Sequence, residues 1–313
     1  MQREFTKEVN DLSVKLSLVV PCYNEEGNVE NFFSHVKNGL KSYTDSYEIV
    51  FVNDGSYDKT EKKLKKLFEE NRDTKITVVS FSRNFGKEAA MYAGLSEAKG
   101  DYVTIIDADL QQDVKYVVEM AKILDKDEDT HMVAAFQEKR KEGKFITLCK
   151  ESFYQFINKV TDVPFVENAS DFRTMRRCVV ETILSLSEYH RFSKGIFSWV
   201  GYNTVSIPYE VKEREAGETK WNFRKLLKYG MDGMMAYTDM PLKLPFYFSL
   251  ILAVVALIVL IFGAFTCAAV FFVGAVILLS LGILGSYVGK IHTQVKNRPI
   301  YIAKEILSYD KHD

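Results

Sequence analysis

The chain has 313 residues, with 41 Lys and Arg against 42 Asp and Glu and a formal charge of −1. That length allows one large domain or two smaller ones, and the near-neutral balance supplies no basic field of the kind nucleic acid demands. Four cysteines (Cys22, Cys149, Cys178, Cys267) fall at no paired spacing, which indicates neither a zinc site nor a disulfide framework and fits a reducing compartment.

The polar, charged N-terminus is expected to be no signal peptide. Residues 15–20 are an apolar run that reads as a strand closed by Pro21. Asn28 is placed as the N-cap of a helix to about Leu40. A second strand, 47–52, ends in Asn53-Asp54-Gly55-Ser56. A charged helix over 59–70, a third strand over 76–81 and a helix over 87–98 follow. The fourth strand, 102–106, runs into Asp107-Ala108-Asp109. A helix over 114–124 then precedes a strand over 132–136. Repeated βα units predict an α/β fold with a mostly parallel sheet. Residues 145–160 carry apolar side chains at helical spacing, which suits a packed helix or one lying on a membrane surface. Residues 199–211 alternate like a strand. Residues 221–237 combine Trp221, Phe223, Leu226 and Leu227 with Arg224, Lys225 and Lys228, the pattern of a basic amphipathic helix beside a bilayer.

From Leu244 to Gly289 no residue is charged, a run more than twice the roughly 20 positions one crossing needs. Two antiparallel spans with a turn near 263–266 are expected. Lys243 precedes the run, and Lys290, Lys296, Arg298 and Lys304 follow it. Positive charge at both ends places both on the cytoplasmic side. The expected division is a catalytic domain over 1–219, a juxtamembrane helix over 220–243, two transmembrane helices over 244–290 and a cytoplasmic tail over 291–313. The expected location is the inner (plasma) membrane, multi-pass, with the catalytic domain and both termini cytoplasmic.

Two carboxylates one residue apart at a strand's carboxyl end project into the crevice where open α/β sheets bind ligands. Oxygen ligands suit Mg²⁺ or Mn²⁺, and such an ion typically also holds a substrate's phosphates.

Four motifs close successive strands: Pro21-Cys22-Tyr23-Asn24-Glu25-Glu26, Val52-Asn53-Asp54-Gly55-Ser56, Ser82-Arg83-Asn84-Phe85-Gly86-Lys87 and Asp107-Ala108-Asp109-Leu110-Gln111. Asp171-Phe172-Arg173, Arg191-Phe192-Ser193-Lys194-Gly195 and Arg214 to Trp221 follow. In this order the chain resembles family 2 glycosyltransferases of the GT-A fold. Within them it resembles the polyprenyl-phosphate group that contains dolichyl-phosphate mannose synthase and the bactoprenol glucosyltransferases. The resemblance implies that Pro21, Tyr23 and Glu25 line a nucleoside pocket and that Asp54 reads the base. Gly55 and Ser56 let the backbone turn close to the ligand, and Val52, Lys87 and Ala108 complete the donor-side set. It assigns Asp109 to the metal, Asp107 to the metal or the ribose, and Gln111 to a place near the ion. Arg214 and Lys220 match residues that hold the donor phosphates. Asp171 is the candidate base or electrostatic organiser, and Arg173, Arg191 and Lys194 are candidates to steer the lipid phosphate.

Two departures from the group stand out. Of an arginine pair after the last sheet strand only Arg140 has a counterpart, and Gln112-Asp113-Val114 replaces an acidic residue and prolines. The implied activity is inverting transfer of a hexose from a nucleotide sugar to polyprenyl (undecaprenyl) phosphate, with UDP-glucose leading, UDP-N-acetylglucosamine next and GDP-mannose third. Membrane lipid is a partner, and assembly into a homo-oligomer is compatible with two spans that bury little against each other. The rivals are a transferase with a hydroxyl acceptor and a membrane scaffold that binds sugar nucleotide without turnover. A channel is disfavoured, because the spans hold no ionisable residue.

Overall fold

The computed structural model describes residues 14–137, 169–210 and 266–311, together with 247, 248, 251, 252 and 255. Its elements in chain order are β1 (Leu16–Cys22), α1 (Val29–Gly39), β2 (Tyr47–Asn53), α2 (Thr60–Glu70), β3 (Lys75–Phe81), α3 (Lys87–Glu97), β4 (Tyr102–Ile105), α4 (Val114–Lys126), β5 (Met132–Gln137), β6 (Ala169–Arg176), α5 (Arg177–Ser185), α6 (Ser193–Trp199), β7 (Thr204–Tyr209), α7 (Thr266–Val295) and β8 (Ala303–Ser308).

Among the described residues the strands form one eight-stranded sheet in the order β7-β5-β6-β4-β1-β2-β3-β8. The pairs β1–β2, β1–β4, β2–β3 and β5–β7 are parallel, whereas β6 and β8 run antiparallel to their neighbours. Strand alternation splits the core between two faces. Leu16, Leu18 and Val20 of β1 and Ile49 and Phe51 of β2 pack with Phe32, Leu64 and Val117 from α1, α2 and α4. Val19, Val50 and Val52 turn to the other face, with Ala90 of α3, Val179 of α5 and Phe197 of α6. The result is helices on both faces of a mostly parallel sheet. Chain order reverses at β1, which has β2 on one side and β4 on the other. Such a switch point opens a crevice at the strands' carboxyl ends, and Pro21 and Asp107 both lie there.

Asn28 is the N-cap position of α1, as expected, although its side chain makes no capping hydrogen bond and its Nδ2 donates to Glu25 Oε2 at 2.6 Å. Two local expectations need correction. The strand expected over 199–211 is confined to Thr204–Tyr209, and Trp199 ends α6 with its side chain 57% exposed. The C-terminal segment is no bare tail. β8 pairs antiparallel with β3 and covers that sheet edge, with Lys304 on Glu61 (3.0 Å) and Lys65 on Glu305 (2.6 Å) fixing it to α2.

α7 is 30 residues long, and its stretch from Phe272 to Val295 is the one helix among the described residues long and apolar enough to cross a membrane. Its large side chains, such as Val270, Leu278 and Val295, face outward. Most of the first expected span, the amphipathic segments over 145–160 and 221–237, and Arg140, Arg214 and Lys220 lie outside the described residues.

Candidate active site

The two loops beside the switch point are laced together by reciprocal hydrogen bonds. The Asn24 N–H donates to Ser56 Oγ (3.0 Å), and the Tyr57 N–H returns to Asn24 Oδ1 (3.1 Å). The Glu25 N–H donates to Thr60 Oγ1 (2.8 Å), and the Lys59 N–H to Glu26 Oε2 (2.9 Å). Tyr23 stands edge-on to Tyr57, centroids 6.0 Å apart, and Tyr57 is 84% exposed. Two aromatic rings thus meet edge to face beside the ends of β1 and β2.

Gly55 makes the next turn at φ +60°. A Cβ there would sit 2.2 Å from the Arg83 carbonyl carbon and 2.5 Å from the Asn84 nitrogen, so only glycine lets the two loops close. Asp54, buried behind it, accepts the Phe85 N–H (2.6 Å) and the Gly86 N–H (3.0 Å). Burial pushes its pKa up to about 6, against the pull of those amides and of Arg83. The expected base-reading carboxylate therefore also organises the loop that leads into Lys87.

Lys87 opens α3 and lies between two carboxylates, 2.8 Å from Asp107 Oδ1 and 3.1 Å from Asp171 Oδ2. Asp107 follows β4, and Asp171 lies on the neighbouring β6. Removal from water works against the ammonium, but Asp107 and Asp171 outweigh it and its pKa is raised. Burial likewise opposes ionisation of Asp171, and Lys87, Lys194 and Arg173 overcome it and hold the carboxyl below its ordinary range. Asp171 Oδ1 is buried with no hydrogen-bond partner among the described residues. Arg173 is buried, with its guanidinium over the Phe197 ring (3.6 Å) and Nη2 on the Ser170 carbonyl (2.7 Å). Burial lowers its pKa to about 10, so it stays cationic at neutral pH.

Asp109 Oδ1 accepts the Gln111 N–H at 3.2 Å across Leu110, which has φ +61°. This turn follows β4 directly, with Asp109 two residues beyond Asp107. Among the described residues no group of three or more His, Cys, Asp or Glu could hold a metal by itself. Two carboxylates nevertheless suit Mg²⁺ or Mn²⁺ when a substrate's phosphates supply further oxygens. The ammonium already drawn between Asp107 and Asp171 marks the site as one that demands positive charge.

The structure thus brings Asp107, Lys87, Asp171 and Arg173 together, with Asp54, Gly55 and Ser56 on the adjacent loop. Arg191 Nη1 and Nη2 donate to the carbonyls of Leu186 (2.9 Å) and Ile183 (3.1 Å). Gln112 was not singled out by its sequence. Its Oε1 accepts the Asp107 N–H (2.9 Å), and Nε2 reaches Asp107 Oδ2 (3.4 Å). The one sequence signal for it was the departure at 112–114, where Asp113 also caps α4 by accepting the Lys115 N–H (2.9 Å).

The family model for Glycosyl transferase family 2 matches residues 17–184. The putative glycosyltransferase CsbB of Bacillus subtilis is 39% identical over 305 residues, covering 93% of this chain and 91% of its own. The SfII prophage-derived bactoprenol glucosyl transferase of Shigella flexneri is 37% identical over 308 residues, covering 93% of this chain and 98% of its own. A mannosyltransferase from Pyrobaculum calidifontis, solved in complex with GDP-Man and Mn²⁺, is 18% identical, covers 91% of this chain and 87% of its own, and superposes with a TM-score of 0.45, a likeness too distant to carry an argument.

Proposed function

The chain belongs to glycosyl transferase family 2 and has an α/β GT-A fold; on that premise we propose that it transfers a hexose, from UDP-glucose first among nucleotide sugars, to polyprenyl phosphate at the cytoplasmic membrane face. The observation that carries this reading is the Lys87 bridge between Asp107 and Asp171. It joins a donor-side carboxylate at the end of β4 to a carboxylate surrounded by Lys87, Lys194 and Arg173.

That surrounding favours a phosphate acceptor over a hydroxyl. A hydroxyl needs a base whose pKa lies near the working pH, and Asp171 is held low. A phosphate monoester, with a second pKa near 6, is already ionised at neutral pH and needs little base. Asp171 then serves to orient Lys87 and Arg173, whose charges draw the phosphate in. Tyr23 and Tyr57 offer rings for the base, while Ser56 and the Gly55 turn let the nucleotide approach the backbone. Asp107 and Asp109 would hold the divalent ion, which neutralises charge on the departing nucleoside diphosphate. Inversion at the anomeric carbon is expected from family membership. The name of the Shigella flexneri relative, a bactoprenol glucosyl transferase, supports a polyprenyl lipid acceptor.

Membrane topology follows the same proposal. β8 pairs with β3 of the catalytic sheet, so the C-terminal end of α7 lies on the catalytic side. If α7 crosses the bilayer, another crossing must precede it, which supports two spans with both ends cytoplasmic. Assembly of several copies is proposed on the expectation that two spans bury little against each other.

The test incubates the full-length protein with undecaprenyl phosphate and, separately, UDP-glucose, UDP-N-acetylglucosamine and GDP-mannose, with divalent metal or with chelator. A lipid-extractable product from one donor, lost on chelation, is expected. No lipid product from any donor would overturn the proposal.

A further inference from the structure

One side chain ties the last turn of α7 to the catalytic domain. Gln294 Oε1 accepts the Tyr189 N–H at 2.8 Å, and Gln294 Nε2 donates to the Ser187 carbonyl at 2.8 Å. An amide offers donor and acceptor in fixed geometry, so the pair grips the segment between α5 and α6 at two points. Arg191 of that segment is held by the carbonyls of Ile183 and Leu186 and lies over the Tyr92 ring of α3 (4.6 Å). Two residues on, the Ser193 N–H donates to Glu88 Oε2 (3.0 Å), and its hydroxyl bonds the same oxygen. Glu88 adjoins Lys87, which holds Asp107 and Asp171. A continuous run of contacts thus joins the apolar helix to the site carboxylates without passing through the donor loops of β1 and β2.

We propose that Gln294 is a positioning residue for the acceptor. It sets the 187–195 segment, and with it Lys194, at a fixed height against the end of the membrane helix. A lipid phosphate arriving in the bilayer plane then meets Lys194 and Arg173 in register. The inference rests on the reading that the acceptor is a membrane lipid phosphate. Gln294 is exposed, and an exposed hydrogen bond adds little net stability, so the clamp acts on placement and not on folding.

The test uses the full-length protein in lipid nanodiscs with undecaprenyl phosphate. Gln294→Ala raises KM for the lipid phosphate by about tenfold, the factor that about 1.4 kcal/mol carries. The donor KM and the melting temperature stay at wild-type values. Gln294→Glu keeps an oxygen for the Tyr189 N–H but sets a carboxylate against the Ser187 carbonyl, and is at least as impaired. Amide hydrogen exchange of residues 187–193, measured without substrates, speeds up in both variants. An unchanged lipid KM, an equal rise in both KM values with a lowered melting temperature, or unchanged exchange would each overturn the proposal. Should the wild-type protein make no lipid product, the acceptor reading fails, and the exchange rates alone still decide whether the clamp exists.

Discussion

Replacing Lys87 with methionine removes an ammonium that serves both Asp107, at 2.8 Å, and Asp171, at 3.1 Å. The three side chains are 41%, 31% and 15% exposed in the order Lys87, Asp107, Asp171. Exposed pairs contribute up to about 1 kcal/mol, whereas losing one partner of a fully buried pair costs about 3–5 kcal/mol. This half-screened arrangement falls between, so the expected loss is roughly 2 kcal/mol. At about 2–4 °C per kcal/mol for a domain of this size, the melting temperature drops by about 4–8 °C. The loss depends on pH. In the native protein burial opposes the Asp171 charge, Lys87 and its neighbours outweigh burial, and the carboxyl is held low. Its ionisation therefore stabilises the fold above the ordinary Asp pKa, about 3.9, and that contribution disappears only as pH falls through the lowered native value. Without Lys87 the burial effect gains ground and the Asp171 pKa climbs. Stability then declines as pH rises through the higher value, so the variant lags the wild type more at pH 8 than at pH 5. Mn²⁺ or Mg²⁺ should recover part of the loss in Lys87→Met by supplying charge beside Asp107. Thermal melts at both pH values, with Lys87→Arg as control, read all of this. A methionine variant that melts like the wild type, or lags equally at both pH values, refutes the charge argument.

Substitutions at three further positions probe the donor loops and the packing of the C-terminal segment. Asp54 has a native pKa of about 6, so the native state holds a proton the unfolded chain has released, and stability falls as pH rises from about 4 to about 6. Asp54→Asn should erase that slope, on the order of 2–3 kcal/mol at about 1.4 kcal/mol per unit; melting profiles that run parallel in the two proteins would count against it. Gly55→Ala drives a Cβ into the Arg83–Asn84 backbone at φ +60° and should cost roughly 3 kcal/mol, which a wild-type melting temperature would disprove. Tyr301 stacks on Phe81 with centroids 4.8 Å apart, and its hydroxyl lies 3.5 Å from Ser96 Oγ. Tyr301→Ala should cost about 2 kcal/mol while Tyr301→Phe stays near wild type, and equal losses in the two would show that the ring is not what matters.

The strands that build the donor side were legible because parallel strands covered on both faces read as apolar runs. β1 to β4 emerged within two residues of their expected bounds, with the motif residues at their carboxyl ends. β6 was missed for the opposite reason. It buries Arg173 and Thr174 beside Phe172 and Met175, and its polar groups are satisfied by partners a linear sequence does not display, such as the Thr104–Thr174 hydroxyl pair at 2.8 Å. β8 carries Lys304 and Glu305 at a sheet edge, where charge suits the position but resembles a solvated tail. The resemblance put Arg191 on the lipid phosphate; only the fold reveals that the carbonyls of Ile183 and Leu186 claim part of its guanidinium. Gln112 escaped because an amide that serves a neighbouring backbone N–H leaves no mark in spacing.

If the cationic surround of Asp171 receives a lipid phosphate and not a lipid alcohol, the two acceptors separate when the full-length protein is offered polyprenyl phosphate and the matching polyprenol side by side, with the best nucleotide sugar and divalent metal. Labelled sugar should enter the lipid fraction with the phosphate alone, and Asp171→Asn should retain most of that turnover. Transfer to the polyprenol at a comparable rate, abolished by Asp171→Asn, would show that Asp171 is a base for a hydroxyl acceptor.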